Sequence, residues 1–225
     1  MVAIATVSFS SCEKDDPEKS SNFKSAEEFI SNPSVYQAVN ESYIDINKGN
    51  NPPPLAGNYL ANGKVTDASY DLSELKNAPL NSIITLYDQT ASGQIKFKET
   101  VQGLTVTGNG GYIIGDNGKF SIFIESQQSG SEAELPDDMF INVALIMSGT
   151  KLNNGNLTAE GLSVITDIQA DKSKYPNRDA IKGLWWKWEA NLRLTGAANM
   201  SPIQLSNTEK LQIIVHKYLM DNILE

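Results

Sequence analysis

Between Leu55 and Thr195 the apolar residues of this chain come in short runs rich in Ile, Val, Thr, Tyr and Phe, broken by Gly and Asn. That pattern belongs to strands and turns. It predicts about eight to ten strands, with hairpins as the repeating unit. Ile83 to Tyr87 and Gln94 to Val101 flank Thr90-Ala91-Ser92-Gly93, and Tyr112 to Ile114 and Lys119 to Glu125 flank Asp116-Asn117-Gly118. A longer pair, Ile141 to Leu152 and Leu157 to Ile168, is joined by Asn153-Asn154-Gly155-Asn156, where Asn and Gly tolerate positive φ. These connections are too short for crossover helices, so the sheet is expected to be antiparallel. Alternation is clearest from Gly183 to Thr195. Leu184, Trp186, Trp188, Ala190, Leu192 and Leu194 share one face, read as core, while Trp185, Lys187, Glu189, Asn191 and Arg193 share the other.

Helical signals bracket the strands. Ser25-Ala26-Glu27-Glu28 and Ser34-Val35-Tyr36-Gln37 each place a hydroxyl three residues before Glu or Gln, the signature of a capping box, with Pro33 between them. Gly49, Asn50, Asn51 and Pro52-Pro53-Pro54 then form an extended connector. A third capping box, Ser206-Asn207-Thr208-Glu209, opens a C-terminal helix whose stripe of Leu211, Ile214, Val215, Tyr218 and Leu219 should lie against the sheet.

The first residues run Met1-Val2-Ala3-Ile4-Ala5-Thr6-Val7-Ser8-Phe9-Ser10-Ser11-Cys12, an apolar stretch too short to span a bilayer that ends in small residues before the chain's one cysteine. It resembles the lipobox of Gram-negative lipoproteins, with Ser10 and Ser11 in place and Phe9 where an aliphatic residue is usual. The resemblance implies a signal-peptide remnant over 1–11, acyl chains on Cys12, and anchoring in the outer membrane. The charged start of a signal peptide is absent, so initiation is expected upstream of Met1. Residues 12–24 read as a polar tether that cannot bury enough apolar surface to fold. Within it, Lys14-Asp15-Asp16 resembles the signal that exports some lipoproteins to the cell exterior. Residues 25–225 are expected to be a single mainly β domain.

The order of elements also resembles a known architecture: helical start, a strand opening at Gly57-Asn58-Tyr59, serial antiparallel hairpins and a closing helix. It is similar to the lipocalin and calycin barrels, whose Gly-x-Trp signature appears here as Gly57-x-Tyr59. The resemblance implies an antiparallel up-and-down barrel with short N-terminal helices and a C-terminal helix packed on it. A β-sandwich would use the same strands.

Chemistry is sparse. A net charge of −9, from 27 acidic and 18 basic residues, repels a phosphate backbone, so nucleic-acid binding is not expected. One cysteine excludes an intramolecular disulfide and a cysteine-cluster metal site. The single histidine, His216, lies beside an apolar helical stripe and suggests no triad. Gly108-Asn109-Gly110-Gly111 lacks the helix and lysine of a phosphate loop and reads as a turn. Asp45-Ile46-Asn47-Lys48-Gly49-Asn50 alternates oxygen donors, but its glycine is misplaced for an EF-hand. Acids suited by type to a glycosidase pair are Asp67, Asp71, Glu99, Glu125, Asp137, Asp138, Glu160 and Asp167; Glu99 and Glu125 stand out because each closes an alternating strand. No catalytic residue, metal or cofactor is assigned.

Aromatic residues are the more suggestive feature. Trp185 falls on the polar face of the last strand, where with Lys187, Glu189, Asn191 and Arg193 it would form a small glycan platform unless a helix or loop covers it. Trp186, Trp188, Tyr59 and Tyr87 are expected in the apolar interior, as walls of a pocket or as solid core. The expected role is non-enzymatic binding of a small apolar ligand or glycan; the alternative is docking to another envelope protein. Replacing Cys12 by Ala should move the protein from the membrane pellet to the soluble fraction and abolish labelling by radioactive palmitate. Unchanged labelling would refute acylation at Cys12.

Overall fold

The computed structural model describes residues 25–101, 104–129, 136 and 138–196. The Cys12 anchor, the tether, the helix expected from Ser206, and His216 lie outside the described residues, as does Asp137.

Eight antiparallel strands form a closed barrel in chain order. They are β1 (Gly57–Ala68), β2 (Pro79–Tyr87), β3 (Lys96–Val101), β4 (Leu104–Asp116), β5 (Lys119–Ser129), β6 (Phe140–Lys151), β7 (Leu157–Gln169) and β8 (Trp185–Thr195). Each strand pairs with its sequence neighbours, and β8 returns to β1. This is the up-and-down barrel of the sequence expectation rather than the sandwich. A closed sheet has no free edge, so every strand has one face inside and one outside.

Two helices precede the barrel, α1 (Ala26–Ser31) and α2 (Pro33–Ser42). Ser25 caps α1 as expected, its Oγ accepting the Glu28 N–H at 3.2 Å. The cap of α2 lies earlier in the chain than expected. Asn32 Oδ1 accepts from the N–H groups of Ser34 and Val35, and Pro33, whose ring pre-sets a helical φ, opens the helix. Ser34 is therefore a first-turn residue and not the cap.

Both helices lie on the outer wall. Val35 and Ala38 are fully buried against Ile146, Leu162 and Val164, and the Phe29 ring meets Phe123 edge-on, centroids 5.5 Å apart. This outer core buries β5 from Phe120 to Ser126 and β6 from Ile141 to Ser148 on both faces, so the alternation expected in β5 up to Glu125 is not seen in its burial. Strand β2 alternates strictly, burying Leu80, Ser82, Ile84 and Leu86 and leaving the residues between them partly accessible.

The barrel has a base, where β1 begins, and a rim, where β1 ends. A strap of chain after α2 seals the base. Leu55 is fully buried there, its carbonyl accepting the Tyr59 hydroxyl at 2.8 Å and its N–H donating to Gln89 Oε1 at 2.7 Å. Gln89 Nε2 in turn donates to the Pro53 carbonyl. At the rim, 3₁₀ turns at Tyr70–Leu75 and Arg178–Ile181 turn Leu72, Leu75 and Ile181 inward onto Val65, Ile141 and Ile165.

Gly108 to Gly111, expected as a turn, is a bulge inside β4 where the pairing with β5 shifts register. A Cβ at Gly108 would stand 2.4 Å from Ile124 Cγ2, and one at Gly111 would stand 2.3 Å from Ile124 Cδ1. The glycines make room for a neighbouring strand's side chain, which no local signal announces.

Gly161 serves Trp188 similarly. It is the register partner of Trp188, whose ring lies where a Cβ would be, 2.0 Å from Cζ2. Gly161→Ala should cost about 1–3 kcal/mol of stability in urea denaturation, because ring or strand must move. A shift within error would show that the Trp188 ring is free to swing away.

Candidate functional site

The inward faces of the strands are not uniformly buried. Towards the base they are solid: Tyr59, Ile84, Phe97, Ile122 and Trp188 are each buried. Towards the rim the inward positions Glu99 on β3, Val106 on β4, Gln128 on β5 and Trp186 on β8 retain accessible surface. The described apolar cluster at the rim draws on β1, β6, β7, the 3₁₀ turns and the start of β8. Glu99, Val106 and Gln128 are partly accessible, and Trp186 packs against both the base cluster and the rim cluster.

Glu99 carries a charge at an inward position, as does Lys151 at the base end of β6, whose ammonium donates to the Pro54 carbonyl. Strand alternation puts Glu99 on the same face as Phe97, opposite Ile84 of β2 and Val106 of β4. Burial pushes its carboxyl well above the ordinary glutamate range, and the nearby Ser82 hydroxyl offsets part of that rise. Ser82 is fully buried, and its Oγ makes no hydrogen bond of normal geometry. The contact therefore tempers the charge without neutralising it. Among the described residues Glu99 has no cationic partner.

The remaining acids differ. Asp67 pairs with Lys76 at 2.8 Å, Asp138 with Lys174 at 2.6 Å, Asp167 with Lys182 at 2.6 Å and Glu160 with Lys187 at 2.7 Å. Glu125 is buried, but it pairs in register with Ala144 on the outer wall, so it and Glu99 occupy opposite faces. Two carboxylates across one cleft do not arise from that pair. No group of three or more acid, histidine or cysteine side chains placed to hold a metal occurs among the described residues. Asp45 and Asn47, from the oxygen-rich segment, instead tie the strap to the wall: the Asp45 N–H donates to Glu160 Oε1 at 2.9 Å and the Asn47 N–H to Ser121 Oγ at 2.8 Å.

The five aromatic residues singled out from sequence do not converge. Trp186, Trp188 and Tyr59 point inward, Trp188 and Tyr59 as core and Trp186 partly accessible. Tyr87 shares the outward parity of Ile83 and Thr85 and lies under Lys96, with Nζ 6.0 Å from the ring centre. Trp185 points outward but is covered by α2, only 5% exposed, its indole N–H donating to Glu41 Oε2 at 2.8 Å. Hydrogen bonds from Gln37 and from that indole hold the Glu41 carboxyl below its ordinary range. Lys187, two residues on, donates to the Ser42 and Tyr43 carbonyls at 3.3 and 3.4 Å, placing a cation at the C-terminus of α2 where the helix dipole favours it. The polar face of β8 thus holds a helix in place. Ser82 and Gln128 were not expected in the site; a hydroxyl at core parity in Leu80, Ser82, Ile84, Leu86 was the available signal.

A concavity lies on the outer wall, a groove of about 640 Å³ between the strap, the start of β5, and β1, β6, β7 and β8. Its lining includes Asp45, Asn62, Lys64, Lys119, Thr158 and Glu189 and contains no aromatic ring.

No family model matches the chain, and no curated protein or solved structure gives a significant match.

Glu99 gives a pH signature with a definite sign. Its proton is held more tightly in the folded than in the unfolded chain, so folding loses stability as pH rises from the ordinary glutamate range through the raised value. Relative to wild type, Glu99→Gln should gain stability progressively as pH rises above the ordinary glutamate range, read as the difference in urea midpoints. A pH-independent difference would mean that the carboxyl is solvated.

Proposed function

We propose that this chain is a non-enzymatic outer-membrane lipoprotein, held by acyl chains on Cys12 and facing the cell exterior, that binds a small, largely apolar ligand at the rim half of its barrel. The observation that carries the reading is the uneven accessibility of the described inward residues. A barrel of this strand number has room for side chains or for one small ligand, and here the base is packed while inward residues at the rim keep accessible surface. Trp186 and Val106 supply apolar contact; Glu99, Gln128 and Ser82 supply the few polar groups that fix orientation in such sites. A glycan finds less support, because the covered Trp185 leaves no stacking face there and the outer groove has none.

Docking to another envelope protein has one observation in its favour. Tyr36, Tyr43 and Tyr70 are 59%, 85% and 91% exposed, and Tyr43 holds a left-handed backbone with φ of 51°. Tyrosines of this kind are enriched at protein interfaces.

The two readings separate in a fluorescence titration of the full chain carrying Cys12→Ser, using retinol, palmitate and an oligosaccharide as probes. Ligand binding in the barrel predicts a saturable change that Trp186→Phe removes and Trp185→Phe leaves in place. Flat titrations with every probe, in a chain shown by circular dichroism to be folded, would overturn it in favour of docking.

A further inference from the structure

A carboxylate set into an apolar wall is costly unless a cation or several hydrogen-bond donors meet it. Most acids along this barrel obey that rule with a lysine; Glu99 does not. It faces inward, has no cationic partner among the described residues, and stands beside a fully buried Ser82 hydroxyl that makes no normal hydrogen bond. Its apolar neighbours in register, Ile84 and Val106, offer it nothing. If the interior were merely core, an apolar residue or a Glu–Lys pair would serve better at this position. The unsatisfied groups instead describe the complement of something absent: a compact donor of several hydrogen bonds with positive charge, carried on an apolar body that fits against Trp186 and Val106.

We propose that the rim site takes a primary amine, its ammonium group seated on the Glu99 carboxylate and the Ser82 hydroxyl and its apolar portion against Trp186 and Val106. This rests on the ligand-binding reading above and names the class of ligand. An ammonium has three donors and can serve both oxygen partners at once. A net charge of −9 favours the approach of cations over anions, so a fatty acid of the same length is the disfavoured ligand. Seating the cation requires the ionised carboxyl, so binding expels the proton that burial holds on Glu99 and strengthens as pH rises.

The test compares decylamine, decanol and decanoate, three probes with one apolar body and different head groups, against the full chain carrying Cys12→Ser. Binding is read by tryptophan fluorescence and calorimetry at about pH 6 and 8. Decylamine should bind about tenfold or more tighter than decanol at the higher pH, and the advantage should shrink at the lower. Glu99→Gln, which keeps the shape and retains a polar group, should erase that preference. Equal binding of decylamine and decanol to the wild-type chain would overturn the amine assignment and leave a ligand site standing. An amine preference that survives in Glu99→Gln would overturn the role of Glu99. Failure of all three probes to bind would overturn the site and the proposal together.

Discussion

The pairing of β1 with β8 is the constraint on which the rest of the molecule depends. It joins Asn58 to Thr195 and Ala68 to Trp186, bringing together strands from opposite ends of the described chain. Without that seam the sheet would present two long edges and no interior. With it, each inward residue has only other inward residues for neighbours, and the barrel needs some answer at each end. At the base the answer is local: Leu55 sits four residues before the Tyr59 whose hydroxyl it accepts, so plug and strand are one stretch of chain. At the rim the described answer comes from the connections flanking β1, β7 and β8.

The outer wall repeats the logic in reverse. The sector from β5 to β8 is apolar on its outer side and is covered by α1 and α2, which are too short to be stable alone. Their hold on the barrel is a division of labour between packing and polar pinning. Phe29, Val35 and Ala38 supply the buried area, while the Trp185 indole and the Lys187 ammonium grip the last turn of α2. Lys187 also pairs with Glu160, which receives the Asp45 N–H, so helix end, wall and strap meet in one polar junction.

Much of the barrel is legible in the amino-acid sequence, because turns and alternation are local. Asn153 to Asn156 and Asp116 to Gly118 mark hairpins by their tolerance of positive φ, and the strands they join lie on either side of them in the fold. β2 and β8 display alternation since one face meets water or a polar junction. β6 does not, and the alternation expected in β5 up to Glu125 gives way to burial on both faces, because a second core covers the outer side. The start of α2 is ambiguous in sequence because Ser34 and Asn32 are both competent caps and only Pro33 decides between them. The glycines from 108 to 111 resemble a turn because their cause, Ile124, lies on another strand. The same holds for the candidate site: residue type and parity suffice to name Glu99 and Trp186 and to place Trp185 outside. Whether a helix covers Trp185, and which inward positions remain accessible, depends on three-dimensional neighbours. Tyr87 shows the limit of residue type alone, since its parity with Ile83 and Thr85 already points outward.

The strap between α2 and β1 has a mechanical meaning. Tension on the chain ahead of α1 is borne first by the helices and their bonds to Trp185 and Lys187, and next by the run through Asn47 and Asn51 to Leu55. The ladder between β1 and β8 comes last in that series. A pull from the N-terminal side would peel helices from the wall and draw the stopper from the base before it loaded the seam, so the sheet is insulated from the end of the chain by a sacrificial series of weaker joints.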